Sequence, residues 1–222
     1  FVALVHIETH AEAESVARRM LDLVRQPITI ENQELNISAS VGIAVHPDDG
    51  SDPAMLLSNA DAAMYRAKER GRNGHCFFEP EMNARALTQL QLGQALTPAL
   101  EKGEFFLLYQ PKYGALDNEL AGVEALVRWN HPGRGVIGPD EFIPLAERTG
   151  LVIELGAWIL DEACRQLAEW HRRGQRMRMS VNISVLQFGS PRLLDDVQAC
   201  LARHAVQPEY LTLEITESIA MR

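Results

Sequence analysis

The 222-residue sequence predicts an α/β protein, because strand-like and helical segments alternate along most of the chain. The second half has the order β, β, α, α, β, α, β, with polar residues near the ends of its strands. This order is typical of a (βα) barrel, whose active face lies at the carboxyl ends of the strands. Residues 103–222 number only 120, against ~250 for a complete barrel. We therefore predict about half a barrel.

The first part of the chain carries shorter elements. Pro27 ends an amphipathic helix, and two strands with a turn between them predict a β-hairpin. Gly42, within the apolar run SASVGIAV, predicts a close backbone approach. The predicted strands are Phe1–Glu8, Ile28–Glu31, Leu35–Val45 and His75–Phe78, and the predicted helices are His10–Gln26 and Pro53–Arg70.

A long helix at Pro80–Lys102 follows, and we place the domain boundary in its midsection. We divide the chain into residues 1–80, a helical connection at 81–102 and residues 103–222. The last part has predicted strands at Phe105–Pro111, Leu120–Trp129, Arg178–Ser184 and Leu211–Glu217, and predicted helices at Pro139–Arg148, Val152–Arg173 and Pro191–His204. Residues 131–139, rich in Gly and Pro, are predicted as a loop.

Three of these strands keep one polar face with a metal-type side chain on it. Alternation places Glu124, Asn182 and Glu214 on the faces opposite the apolar residues of their strands. Strands covered by helices on both faces would instead be apolar almost throughout. Carboxylate and amide oxygens are hard donors that suit Mg²⁺, Mn²⁺ or Ca²⁺ rather than zinc. The pattern predicts a metal-dependent enzyme.

Composition excludes several classes of partner and location. The net charge of −9 disfavours duplex nucleic acid as a partner, because phosphate neutralisation requires a basic surface. No apolar run approaches the ~18–20 residues of a membrane span. Cys76, Cys164 and Cys200 lack metal-ligand spacing and are predicted to be ordinary thiols of a cytoplasmic protein.

Six ordered motifs in the second half resemble the EAL domain of cyclic di-GMP phosphodiesterases. They are LLYQPK (107–112), VEALVRWNHP (123–132), DEFIPLAERTGL (140–151), SVNIS (180–184), QF (187–188) and LEITES (213–218). The resemblance implies the first half of a TIM-like barrel that hydrolyses cyclic di-GMP to linear pGpG with Mg²⁺ or Mn²⁺. It also implies roles at matching positions. Glu124, Asn182 and Glu214 would bind metal, with Glu124 catalytic, and Gln110, Leu126 and Arg128 would contact the dinucleotide.

Two motifs of the first half, SASVGIA (38–44) and NADAAMYRAKERGRN (59–73), resemble the carboxyl-terminal part of a GGDEF (diguanylate cyclase) domain. Phe1 would be the last letter of the GGDEF motif itself. The resemblance implies that Lys68 and Arg72, in the last turn of a helix, hold the phosphates of GTP. Helix ends also favour cations without any ligand.

The resemblance implies a tandem cut at both ends. In the family an Asp pair, a Lys and a later Glu complete the second metal site, and they would lie beyond Arg222. Glu217 is either an outer carboxylate of the site or a surface charge. Two alternatives stay open: a non-catalytic cyclic di-GMP receptor, and a diguanylate cyclase with a regulatory EAL domain.

Half a barrel leaves strand edges unpaired. The 222-residue chain, expressed alone, should therefore aggregate, form a homodimer or remain loosely packed. Light scattering after size exclusion, together with a thermal melt, checks this. A monomer that melts sharply would contradict it.

Overall fold

The computed structural model describes residues 1–31, 33–115 and 118–215. The chain divides into two compact units, one covering residues 1–88 and the other beginning at Gln89. The division lies within a single helix, α3 (Glu81–Glu101). Among the described helices, none combines the length and apolar character needed to cross a bilayer.

The first unit contains two helices and two small sheets. Helix α1 spans His10–Val24 and α2 spans Pro53–Glu69. Strands β1 (Ile28–Ile30) and β2 (Gln33–Leu35) form an antiparallel hairpin, whereas β3 (Val41–Ile43) pairs in parallel with β4 (His75–Phe77). The predicted hairpin is therefore confirmed, but Leu35–Val45 is not one strand.

Helix α2 packs closely on β3 in this unit. Asp52 caps the helix by accepting a hydrogen bond from the Met55 N–H at 2.9 Å, and Pro53 starts it. A Cβ at Gly42 would lie 1.9 Å from the Ala60 carbonyl oxygen and 2.2 Å from the Met64 nitrogen. The close approach predicted for Gly42 is confirmed. The buried core beneath comprises Ala63, Ala67, Cys76 and Met82.

The strand predicted at Phe1–Glu8 is wrong. Residues 1–7 have no regular structure, and Phe1 and Leu4 are fully exposed. A strand needs a neighbour to satisfy its backbone hydrogen bonds, and within the described residues none pairs with this segment. Apolar composition alone could not reveal that.

The second unit is built on one five-stranded sheet. Its strands are β5 (Phe105–Tyr113), β6 (Leu120–His131), β7 (Gly135–Ile137), β8 (Arg178–Ile183) and β9 (Leu211–Ile215). The order is β5-β6-β8-β9, with β5 and β7 antiparallel to β6 and with β6, β8 and β9 parallel. The four strands predicted here are confirmed, the last as far as Ile215. Strands β6, β8 and β9 are parallel, as in a (βα) barrel, whereas β5 departs from that pattern by pairing antiparallel with β6.

The helices of the second unit pack against the apolar face of this sheet or against one another. They are α3, α4 (Pro139–Thr149), α5 (Val152–Arg172), α6 (Val185–Phe188) and α7 (Leu193–His204). Helix α4 starts with Pro139 and ends at Gly150, whose φ of 78° suits glycine. The apolar stripe of α5 that runs from Leu155 to Leu167 is buried in the core. Burying each such side chain stabilises the fold by about 1.5–3 kcal/mol.

Helices α5 and α7 are also joined by polar contacts. Asp161 accepts hydrogen bonds from Arg203 and, at 3.0 Å, from His204. Partial burial raises the pKa of Asp161, but the hydrogen bonds from His204 and Arg203 outweigh it, so the net pKa is lowered. Burial raises the pKa of the nearby Cys164 thiol to about 12 and that of Cys200 to about 11, which disfavours the thiolate of each. This agrees with the ordinary thiols predicted for the chain.

Two elements differ from the sequence prediction. The segment predicted as a loop contains β7, which folds back on β6 and pairs Trp129 with Ile137. Helix α6 has a capping box, in which the Ser184 hydroxyl accepts from the Gln187 N–H and the Gln187 side-chain oxygen accepts from the Ser184 N–H, both at 3.2 Å. Both elements are only three or four residues long, too short to produce a periodic pattern.

Gln187 is buried against α5. A Cβ at Gly156 would lie 1.7 Å from the Gln187 side-chain nitrogen. Gly156 therefore leaves the room in which Gln187 can close the capping box directly after β8. The capping box follows the carboxyl end of β8 at once, since β8 ends at Ile183 and the box begins at Ser184.

We expect Gly42→Ala to destabilise the first unit by about 1–3 kcal/mol, because the clash is with backbone atoms that cannot turn aside. Gly74→Ala is the matched control, since its Cβ would meet only the Arg72 oxygen at an ordinary 3.7 Å. Hydrogen exchange of residues 41–43 should accelerate in Gly42→Ala and stay near wild type in Gly74→Ala. Equal exchange in both variants would contradict the close packing.

We expect Gly156→Ala to lower the free energy of unfolding by about 1–3 kcal/mol, because the new methyl group displaces Gln187 from its capping box. Gly93→Ala, also inside a helix, meets no atom within 4 Å and should stabilise by about 0.5–1 kcal/mol. Urea unfolding followed by tryptophan fluorescence measures both. If both substitutions changed the free energy of unfolding in the same direction, the packing of Gln187 against Gly156 would be refuted.

Candidate active site

The register of the parallel strands brings the predicted metal ligands together. Asn182 on β8 is the direct neighbour of Glu214 on β9. Glu124 on β6 is paired with Ser180, two residues before Asn182, and with Gln110 on β5. Since side chains two residues apart share a face, all five lie on the same face of the sheet.

The opposite face of these strands is apolar and buried, as the alternation predicts. Glu124, flanked by the buried Val123 and Ala125, is half-buried, and Asn182 is exposed between the buried Val181 and Ile183. The strands thus separate a core face from a polar face that water can reach.

Glu124 and Asn182 are in direct contact. The Asn182 amide nitrogen donates a hydrogen bond to Glu124 Oε1 at 2.7 Å. Rotation of the amide group would present its oxygen instead, so the same side chain can serve a carboxylate or a cation. Glu124 and Asn182 form one half of the polar cluster.

Glu214 forms the other half with Lys112. The Lys112 ammonium donates to Glu214 Oε1, and at 2.9 Å to the Ser180 hydroxyl. The hydrogen bond from Lys112 holds the pKa of Glu214 below its ordinary value; partial burial opposes this and a bond from Ser180 adds to it. Glu214 is therefore a charged carboxylate at neutral pH.

The predicted dinucleotide contacts lie on the same face at different distances from the cluster. Gln110 is exposed beside Glu124. Leu126 and Arg128 are half-buried, two and four residues along β6, and Arg128 is thus roughly 13 Å from Glu124 at about 3.3 Å per residue. The Arg128 guanidinium donates to the Val127 carbonyl oxygen at 2.8 Å. The structure places Arg128 at the carboxyl end of β6, apart from the carboxylates.

The cations predicted to hold phosphate in the first unit are both exposed. Lys68 lies in the last turn of α2, as predicted. Arg72 does not lie there, because α2 ends at Glu69 and Arg72 occupies a turn with φ of 59°. The glycine at position 71, with φ of 108°, has already ended the helix.

Two residues near the site remain to be placed. Glu217, predicted as an outer carboxylate or a surface charge, lies outside the described residues. Lys112 falls within the LLYQPK motif, but its contact with Glu214 depends on two further strands. Alternation along β5 places it on the face of Gln110, which was the available signal.

The donor set fits a hard divalent cation. It provides two carboxylates and one amide on neighbouring strands, and Mg²⁺ and Mn²⁺ prefer oxygen ligands of this kind. The Lys112 ammonium on Glu214 shows that this face already attracts positive charge. No three His, Cys, Asp or Glu side chains converge as a metal cluster within the described residues; the set relies on Asn182 as its third member.

Comparison with known proteins gives the family. The EAL domain profile matches residues 93–222, more than half of the chain, and the profile of the diguanylate cyclase GGDEF domain matches residues 1–74. The bifunctional diguanylate cyclase/cyclic di-GMP phosphodiesterase MucR of Pseudomonas aeruginosa is 49% identical over 223 residues, which is 100% of this chain and 33% of MucR. The chain spans about a quarter to a third of the length of the curated relatives it matches.

Solved structures agree with this assignment. The PaMucR phosphodiesterase in its c-di-GMP complex has a TM-score of 0.58 and 49% identity, covering 60% of this chain and 54% of that chain. The Xanthomonas citri FimX EAL domain in complex with c-diGMP has a TM-score of 0.55 and 29% identity, covering 63% and 54%. The GGDEF domain profile matches the residues that precede the EAL match. The chain belongs to the EAL domain family.

Proposed function

We propose that this chain is the metal-binding half of a cyclic di-GMP phosphodiesterase, which hydrolyses cyclic di-GMP to linear pGpG with Mg²⁺ or Mn²⁺. One observation carries the proposal: Glu124, Asn182 and Glu214 lie side by side on one polar face of a parallel sheet. The relative MucR is named as such a phosphodiesterase. We place the reaction in the cytoplasm.

The three side chains would hold the divalent ion. Glu124 and Glu214 supply charged oxygens, and Asn182 supplies its amide oxygen after releasing Glu124. When bound, such ions activate water and stabilise the leaving oxygen in phosphodiester hydrolysis. Glu124 accepts the Asn182 hydrogen bond at 2.7 Å. Its role would be to hold the divalent ion in a fixed position relative to the substrate phosphate.

Gln110, Leu126 and Arg128 would position the dinucleotide along β6. Gln110 adjoins Glu124 and offers both a donor and an acceptor. Arg128 can leave the Val127 carbonyl oxygen to pair with a phosphate, a contact that favours guanidinium over ammonium. Leu126 lies between them and can contact an apolar surface of the ligand.

The first unit would contribute a nucleotide-phosphate site. Lys68 and Arg72 are exposed, with Lys68 at the end of α2 and Arg72 in the turn that follows. We propose that they hold GTP phosphates together with the acidic groups of a GGDEF motif. We also propose that the complete protein acts as a homodimer.

The test is hydrolysis by the complete gene product that contains these residues. Glu124→Gln keeps the shape of the side chain but removes its charge, so pGpG release should fall by more than about 100-fold, the loss associated with disturbing even an outer partner of a metal ligand. Chromatography of pGpG formed with Mn²⁺ measures this. Chelation by EDTA should abolish the wild-type reaction.

Glu101→Gln, at the exposed end of α3, is the control with the same charge change and should hydrolyse like wild type. If wild type binds cyclic di-GMP without releasing pGpG, the protein is a receptor and the phosphodiesterase proposal fails. Full activity in Glu124→Gln would remove Glu124 from the mechanism.

A further inference from the structure

The Lys112 side chain reaches past β6, the strand paired with its own, and contacts β8 and β9. It lies on β5 opposite Gly122 of β6, yet its ammonium donates to Ser180 on β8, at 2.9 Å, and to Glu214 on β9. The side chain therefore passes over β6 at the position where β6 has no side chain. The contact joins the antiparallel edge of the sheet to its parallel part.

Gly122 makes this crossing available. A Cβ there would lie 2.6 Å from the Arg178 carbonyl oxygen, so β6 and β8 approach too closely for a larger residue. The same absence of a side chain leaves space above the strand. The strand pairing thus places Lys112 opposite a glycine, over which its side chain reaches β8 and β9.

We propose that Lys112 is a resident counter-cation of the metal site, which occupies Glu214 when no metal is bound and competes with the divalent ion for that carboxylate. The inference rests on the proposed function, since it takes Glu214 as a metal ligand. Lys112 is a positioning residue: it acts on the metal through Glu214.

Charge and exposure support this role over a purely structural one. The side chains of Lys112 and Glu214 are 42% and 34% exposed, and ion pairs this accessible contribute little to the free energy of unfolding. A divalent ion held by Glu214 would be repelled by an ammonium that touches the same carboxylate. Lys112 therefore lowers metal affinity while it keeps the empty site from carrying two uncompensated carboxylates.

Other cations on this face differ from Lys112. Arg128 donates to the Val127 backbone oxygen. Arg178, on the face of Ser180, is exposed at the start of β8 opposite Gly122. Among the contacts of the described residues, Lys112 provides the ion pair to a predicted ligand.

The experiment is Mn²⁺ titration of the complete gene product that contains these residues, with free Mn²⁺ followed by electron paramagnetic resonance. Lys112→Met removes the charge and keeps the length, so the Kd should fall by roughly tenfold, as expected for losing a repulsive charge at this range. Lys112→Arg keeps the charge and should stay near wild type. Lys102→Met, exposed just after the carboxyl end of α3, loses the same charge elsewhere and should bind like wild type.

The outcomes separate the two proposals. Tighter binding in Lys112→Met alone, or Mn²⁺ binding that appears only in Lys112→Met, supports the counter-cation role. If wild type binds Mn²⁺, Glu124→Gln abolishes the binding and Lys112→Met does not tighten it, the counter-cation role is wrong. The proposed metal site then still stands. Wild-type binding that persists unchanged in Glu124→Gln refutes the metal site itself, and absence of binding in all variants refutes both. Circular dichroism of each variant confirms that the fold is retained.

Discussion

The parallel register of β6, β8 and β9 determines both the core and the polar face of the second unit. It pairs Glu124 with Ser180 and Asn182 with Glu214, and it turns the apolar residues of all three strands toward the helices. A slip of one residue would bury the carboxylates and expose the core face. Folding free energy from the core therefore fixes the geometry of the polar face.

Two glycines keep this register compatible with its surroundings. Gly122 permits the close approach of β6 and β8 and opens the path of Lys112 across the sheet. Gly156 leaves room for Gln187, which closes the capping box after β8. The polar face concentrates negative charge, and Lys112 offsets part of it. Gly122 and Gly156 therefore affect both the packing of the second unit and the arrangement of the polar face.

Much of the site could be predicted from residues alone, because strand alternation is a strict two-residue period. That period is sufficient to assign Glu124, Asn182 and Glu214 to the polar faces of their strands. The role of Lys112 could not be predicted in this way, since its contacts join β5 to β8 and β9 and require the register of every pair between them. The strand predicted at the amino terminus is wrong for a related reason: composition reports which residues can form a strand, whereas pairing decides whether they do.

Anomalous diffraction at the manganese edge would show directly whether Glu124, Asn182 and Glu214 bind one divalent ion. Crystals of the complete gene product grown with Mn²⁺ should show a peak within coordination distance, roughly 2.0–2.6 Å, of oxygen atoms from all three side chains. A peak held by other residues, or an Asn182 amide still bonded to Glu124 at saturating Mn²⁺, would contradict the account.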